Sequence, residues 1–177
     1  MPIINFEKLA YAKRGRRVIF LKWFEWKERQ VERETTQLDS AYQKLIQRQE
    51  DIVSFYQSLG DQINRYSYLT EMSCMMEPIP LEYKTDEYLV KGCQSNVWMS
   101  VGVDELGGLK IVADSDSFIV KGVLVVLIDL LTGMPPSSIR DFQFTFLEDT
   151  GLDTLFSPER KNGVAALLSQ IKEACCL

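Results

Sequence analysis

The chain of 177 residues contains no histidine. That absence removes the Ser-His and Cys-His pairs of nucleophilic hydrolysis, and with them the commonest general base near neutral pH. Its four cysteines, Cys74, Cys93, Cys175 and Cys176, include no Cys-x-x-Cys pair. Adjacent thiols cannot easily turn toward one centre, so the spacing argues against a bound metal. No glycine-rich loop opens a helix, because Gly107-Gly108 falls inside a hairpin pattern, and nucleotide binding is left without support. A secretory leader is also missing from the pattern: Arg14, Arg16 and Arg17 precede only Val18 to Leu21 before Lys22. The expectation is a cytoplasmic chain with reduced thiols. The longest apolar run, Phe118 to Leu131, is interrupted by Lys121 and Asp129 and closed by Gly133, Pro135 and Pro136. It is too short and too charged to span a bilayer, and its length favours a buried helix over a strand despite its valines.

What is present describes a folded domain with an appendage. Apolar residues make up 46% and the net charge is -5, a balance that excludes a disordered acidic chain. At this size folding buries roughly 70% of the extended chain's surface, enough to hold without disulfides. Charge is unevenly divided: residues 1–45 hold 10 Lys+Arg against 6 Asp+Glu, and the remainder 10 against 19. The expected organisation is a basic helical extension over 1–44 and a domain over 45–177. Phe24, Val31, Leu38, Leu45 and Ile52 recur every seven residues, which predicts a long helix from about Lys22 to Tyr56 whose thin apolar stripe leans on the body.

Ser58, Gly60 and Asp61 signal a second helix carrying Ile63, Tyr66, Leu69 and Met72, ended by Pro78 and Pro80. Tyr88 to Val90 reads as extended, with a turn at Gly92. Val97, Met99, Val101 and Val103 alternate as one strand, and Leu109, Ile111 and Ala113 as its antiparallel partner across Gly107-Gly108. The Phe118 helix, capped by Ser115 or Ser117, can cover that hairpin. Ser157-Pro158 opens a last helix with Val164, Leu167, Leu168 and Ile171 on one face. The fold class is α+β: a small antiparallel sheet with helices packed on one side, plus the N-terminal helical extension.

Among residues that carry chemistry, Asp104-Glu105 and Asp114-x-Asp116 read as solvated turn and capping carboxylates. Cys74 reads as a core or near-core residue, and Cys175 and Cys176 as part of a frayed terminus. Cys93 differs in its setting. Gly92 permits an open turn, Lys91 is a nearby cation that favours thiolate, and Gln94, Ser95 and Asn96 offer polar groups around the sulfur. From composition alone an inert structural cysteine stays the ordinary reading. The basic aromatic head, from Arg14 to Trp26, leaves open a regulatory module that contacts nucleic acid, although Glu25, Glu28, Glu32 and Glu34 dilute its charge. A free-standing thiol peroxidase using Cys93 is the third alternative.

The segment from Lys84 to Trp98, with Gly92-Cys93-Gln94-Ser95 followed by Val97-Trp98, closely resembles the signature of the SufE family of sulfur-acceptor proteins. Arg65, Tyr66, Tyr68 and Leu69, then Ala113 to Asp116, Ile119 to Gly122, Leu131 to Gly133 and Ser157 to Gly163, follow in the family's order and spacing over about residues 45–177. Ile63 stands where the family carries tryptophan. Leu155 or Phe156 stands where many members carry histidine. The resemblance implies that Cys93 accepts persulfide sulfur from a cysteine desulfurase, stimulates its turnover, and passes the sulfur to an iron-sulfur scaffold protein. It implies a carrier rather than an enzyme, with no cofactor of its own, the pyridoxal phosphate residing on the desulfurase. It assigns Gly92, Gln94, Ser95, Asp116 and Arg160 to positioning the loop or contacting the partner.

Overall fold

The computed structural model describes residues 16–176, with side chains from Phe24 onward except those of Leu155, Glu159 and Arg160. Its contacts divide the chain into two units, Met1–Gln37 and Leu38–Leu177. The described residues form six α-helices and a two-stranded antiparallel sheet, with the helices on one side of the sheet.

Helix α1 runs Arg16–Ser58, longer at both ends than the heptad pattern predicts. Within the first unit Phe24 and Val31 of the stripe are exposed, as is Trp26. Further along the same stripe Leu45 is fully buried and Ile52 packs against the core. Arg14 and the side chains of Arg16, Arg17 and Trp23, the heart of the basic aromatic head, lie outside the described residues.

Helix α2, Gln62–Cys74, starts where Asp61 accepts a hydrogen bond from the Asn64 N–H at 2.9 Å, the standard N-cap arrangement. Only Leu69 and Ser73 of this helix are buried. Ile63 is exposed, and so is Cys74, against the expectation of a core thiol: it lies one position past Ser73, beyond the covered face.

Strands β1, Val97–Val103, and β2, Leu109–Ser115, pair antiparallel with Val97 opposite Ser115 and Val103 opposite Leu109. Burial alternates as predicted at Val97 and Met99 and fades toward the turn, where Val103 is exposed. Helix α3, Phe118–Leu131, covers the inner face. Its β-branched residues cost a few tenths of a kcal/mol each in helix propensity, whereas burying a large aliphatic side chain contributes about 1.5–3 kcal/mol. Val123, Leu124, Leu127, Leu130 and Leu131 are all essentially inaccessible, so burial decides. Ser117 occupies the N-cap position but makes no side-chain capping bond; its own N–H donates to the Ser115 Oγ at 3.2 Å. Helices α2 and α3 cross so closely at Gly122 that a Cβ there would overlap the Leu69 carbonyl oxygen.

The rest of the core comes from a stretch in which sequence periodicity is silent. Short helices α4, Pro136–Ile139, and α5, Phe146–Asp149, carry Ile139 and Phe146 inward, with Met134, Phe142 and Leu152 before, between and after them. Helix α6, Pro158–Ala174, buries Val164, Leu167 and Ile171. Cys175 continues that face and is 4% exposed, so it belongs to the core rather than to a frayed end.

Candidate functional site

Cys93 occupies a loop whose base is tied by backbone pairing. Val90 N–H donates to the Val97 carbonyl and Met99 N–H to the Tyr88 carbonyl, both at 2.8 Å, making a short ladder around the Leu89–Trp98 bridge. The chain between Val90 and Val97 must reverse, and Gly92 does so at φ +89, a conformation that glycine adopts without strain.

The far stem is clamped by Asp116. Its Oδ1 accepts from the Asn96 N–H at 3.0 Å and its Oδ2 from Asn96 Nδ2 at 2.8 Å. The Asn96 carbonyl in turn accepts from the Asp116 N–H at 3.2 Å and from Ser115 Oγ at 2.9 Å. Lys91 to Ser95 lie between the ladder and this clamp, and the hydrogen bonds of Asp116 go to Asn96 rather than to the sulfur.

The sulfur itself lies against α6. Cys93 is half-buried, and its Sγ–H donates to the Gly163 carbonyl at 3.3 Å. Burial pushes the Cys93 thiol above its ordinary value. The expected bias toward thiolate from Lys91 is therefore overturned: that side chain is exposed, and desolvation of the sulfur governs. Gln94 is exposed and Ser95 half-buried, and the sulfur's hydrogen bond goes to Gly163 rather than to either of them. The backbone of Arg160 lies in the first turn of α6, while its side chain falls outside the described residues. Beside the loop lies an open cleft of ≈ 530 Å³ bordered by Asp86, Glu87, Lys91, Ala166 and Glu173.

Sequence reasoning misread Asp114. Rather than a solvated carboxylate it is completely buried, paired with Lys84 Nζ at 2.7 Å and Lys121 Nζ at 2.9 Å, with the Ser115 N–H at 2.8 Å. Burial raises its carboxyl, but hydrogen bonds from Lys121, Lys84 and Ser115 outweigh that and hold it below the ordinary carboxylate range. Lys84 Nζ also lies 5.3 Å from the centroid of the Trp98 ring, a cation–π contact at the loop's base.

No three His, Cys, Asp or Glu side chains among the described residues are grouped so as to hold a metal ion. What the geometry offers is a single thiol on a short tethered loop, sheltered in one position and bordered by open space.

A family model described as SufE, Fe-S metabolism associated domain, matches residues 50–175. The chain belongs to the SufE family. Among its relatives is the SufE-like protein 1, chloroplastic/mitochondrial, of Arabidopsis thaliana, 30% identical over 131 residues, which are 74% of this chain and 35% of that protein. Quinolinate synthase, chloroplastic, of Nicotiana tabacum is 37% identical over 115 residues, 63% of this chain and 16% of that protein. The SufE chain thus spans well under half the length of either curated relative. The solution structure of a hypothetical protein from Thermus thermophilus shares the fold, with TM-score 0.59 and 22% identity over 75% of this chain and 93% of that one. No described helix of this SufE chain is long and apolar enough to cross a membrane.

Proposed function

We propose that this SufE-family chain is a sulfur carrier: Cys93 takes the outer sulfur of a persulfide from a cysteine desulfurase, speeds that enzyme's turnover, and yields the sulfur to an iron-sulfur assembly scaffold. The observation that carries the reading is the position of Cys93 on a tethered loop, its thiol hydrogen-bonded to α6 and its neighbours Lys91 and Gln94 exposed. The Cys93 thiolate attacks the outer sulfur of the donor's persulfide, the donor's sulfur–sulfur bond breaks, and the donor cysteine leaves as thiolate. Cys93 ends as the persulfide, and no net oxidation or reduction occurs. Pyridoxal phosphate belongs to the donor, which generates the persulfide from cysteine.

The sheltered position and the transfer make opposite demands. Burial keeps the thiol protonated and poorly nucleophilic, so transfer requires the loop to leave α6. Docking of the donor supplies that displacement, and the cleft beside Lys91 leaves the loop room on its solvent side. In this reading the chain acts as carrier and activator rather than as the catalyst of a separate reaction. Its free thiols suit a reducing, cytoplasmic compartment.

The test is intact-mass measurement after incubation with a cognate desulfurase and cysteine. Wild type is expected to gain sulfur and Cys93→Ser to gain none, with desulfurase turnover rising only in the presence of wild type. Absence of both adduct and stimulation with wild type contradicts the proposal.

A further inference from the structure

Gly163 stands inside α6, where glycine is a poor choice: it is a weaker helix former than alanine. Its backbone does not require glycine either, because its φ is not among the positive values, which belong to Gly60, Gly92, Gly107, Gly133 and Gly151. What does explain it is Cys93. A Cβ placed on Gly163 would lie 3.3 Å from the Cys93 Sγ, 3.4 Å from its Cα and 3.6 Å from its Cβ. The Gly163 carbonyl is also the acceptor for the thiol. One turn on, a Cβ on Gly92 would meet the Ala166 side chain at 3.5 Å, so the loop is packed on small residues at both points of contact.

We infer that Gly163 is the positioning residue of the sulfur site: its missing side chain is the niche in which the Cys93 loop closes on α6. The depth of that niche sets how readily the loop opens. The inference rests on the reading of Cys93 as the sulfur acceptor, but the closed loop is measurable without any partner.

The experiment compares wild type with Gly163→Ala, in which helix propensity improves while the niche is filled. Full-length proteins are treated with a small alkylating agent across a pH series, and each of the four cysteines is followed by fragmentation of its peptide, which separates the adjacent Cys175 and Cys176. Cys93 in the variant is expected to react about five- to tenfold faster near neutral pH, the lower end of what overpacking a close contact shifts. Its pH midpoint is expected to fall toward the ordinary thiol value. Buried Cys175 serves as the internal standard and should stay protected in both proteins. Loaded with sulfur by a desulfurase, the variant should also lose it faster to a low-molecular-weight thiol.

Unchanged Cys93 rates and midpoint overturn the inference. Simultaneous exposure of Cys175 overturns it too, since the substitution would then be loosening α6 as a whole. If wild type and variant differ in alkylation but neither accepts sulfur from a desulfurase, the niche stands and the carrier reading falls. If both accept sulfur but alkylate alike, the carrier reading stands and the niche falls.

Discussion

The role proposed for Cys93 sets two requirements against each other: a carrier must ionise its thiol to accept sulfur and shelter it afterwards. Half-burial against the Gly163 carbonyl favours shelter, and it pushes the thiol upward. Alkylation of Cys93 in the isolated protein should therefore show a pH midpoint above that of cysteine in an open peptide. A midpoint at or below the peptide value would contradict the closed loop. The Asp116 clamp leads to a second expectation. Asp116→Ala removes both acceptors from Asn96 at a cost of about 1 kcal/mol per hydrogen bond. Cys93 should alkylate severalfold faster in this variant, while the protein still unfolds in one cooperative step. The motif made Cys93, Gly92 and Asp116 visible in the sequence. The contact with Gly163 was not visible, because 70 positions separate it from Cys93 and only the fold brings the two together.

Between elements, Asp114 is the tie that holds the base of the site. It joins β2 to α3 through Lys121 and to the segment preceding the loop through Lys84. Replacing it with alanine strands two partly buried ammonium groups. Breaking a fully buried pair costs about 3–5 kcal/mol, and partial exposure of both lysines reduces the expected loss to about 2 kcal/mol. Urea unfolding measures it. Because the folded carboxyl is held below its unfolded value, its contribution is complete above that unfolded value, about 3.9, and is lost as pH falls through the lower folded one. Acid titration of stability in wild type should therefore fall more steeply below pH of about 4 than in Asp114→Asn. Gly122→Ala tests the α2–α3 crossing and should destabilise by about 1–3 kcal/mol through overlap with the Leu69 carbonyl.

Helices with a sustained pattern were legible at this scale. The bounds of α3 and the pairing of β1 with β2 follow directly from apolar length, alternation and the Gly107-Gly108 turn. Helices α4 and α5 were not legible, since one turn is too short to display a period. Asp114 was misread because a carboxylate in sequence carries no sign of the two lysines that make its burial tolerable.

For the whole molecule, membership of the SufE family and the antiparallel sheet covered by helices agree with the signature read from residues. The cysteines are sorted by the fold more sharply than by sequence: Cys74 and Cys176 are exposed, Cys175 is buried, and Cys93 alone is half-buried on a loop. Accessibility by itself would direct sulfur to Cys74 or Cys176, whereas the proposed transfer uses the tethered loop. The most direct measurement is therefore site-resolved: load the protein with a desulfurase and cysteine, trap persulfides with an alkylating agent, and read the peptides carrying each of the four thiols. The extra sulfur is predicted on the Cys93 peptide, with the exposed cysteines left as plain thiols. Equal labelling of Cys74 or Cys176, or an unlabelled Cys93 beside them, would contradict the account.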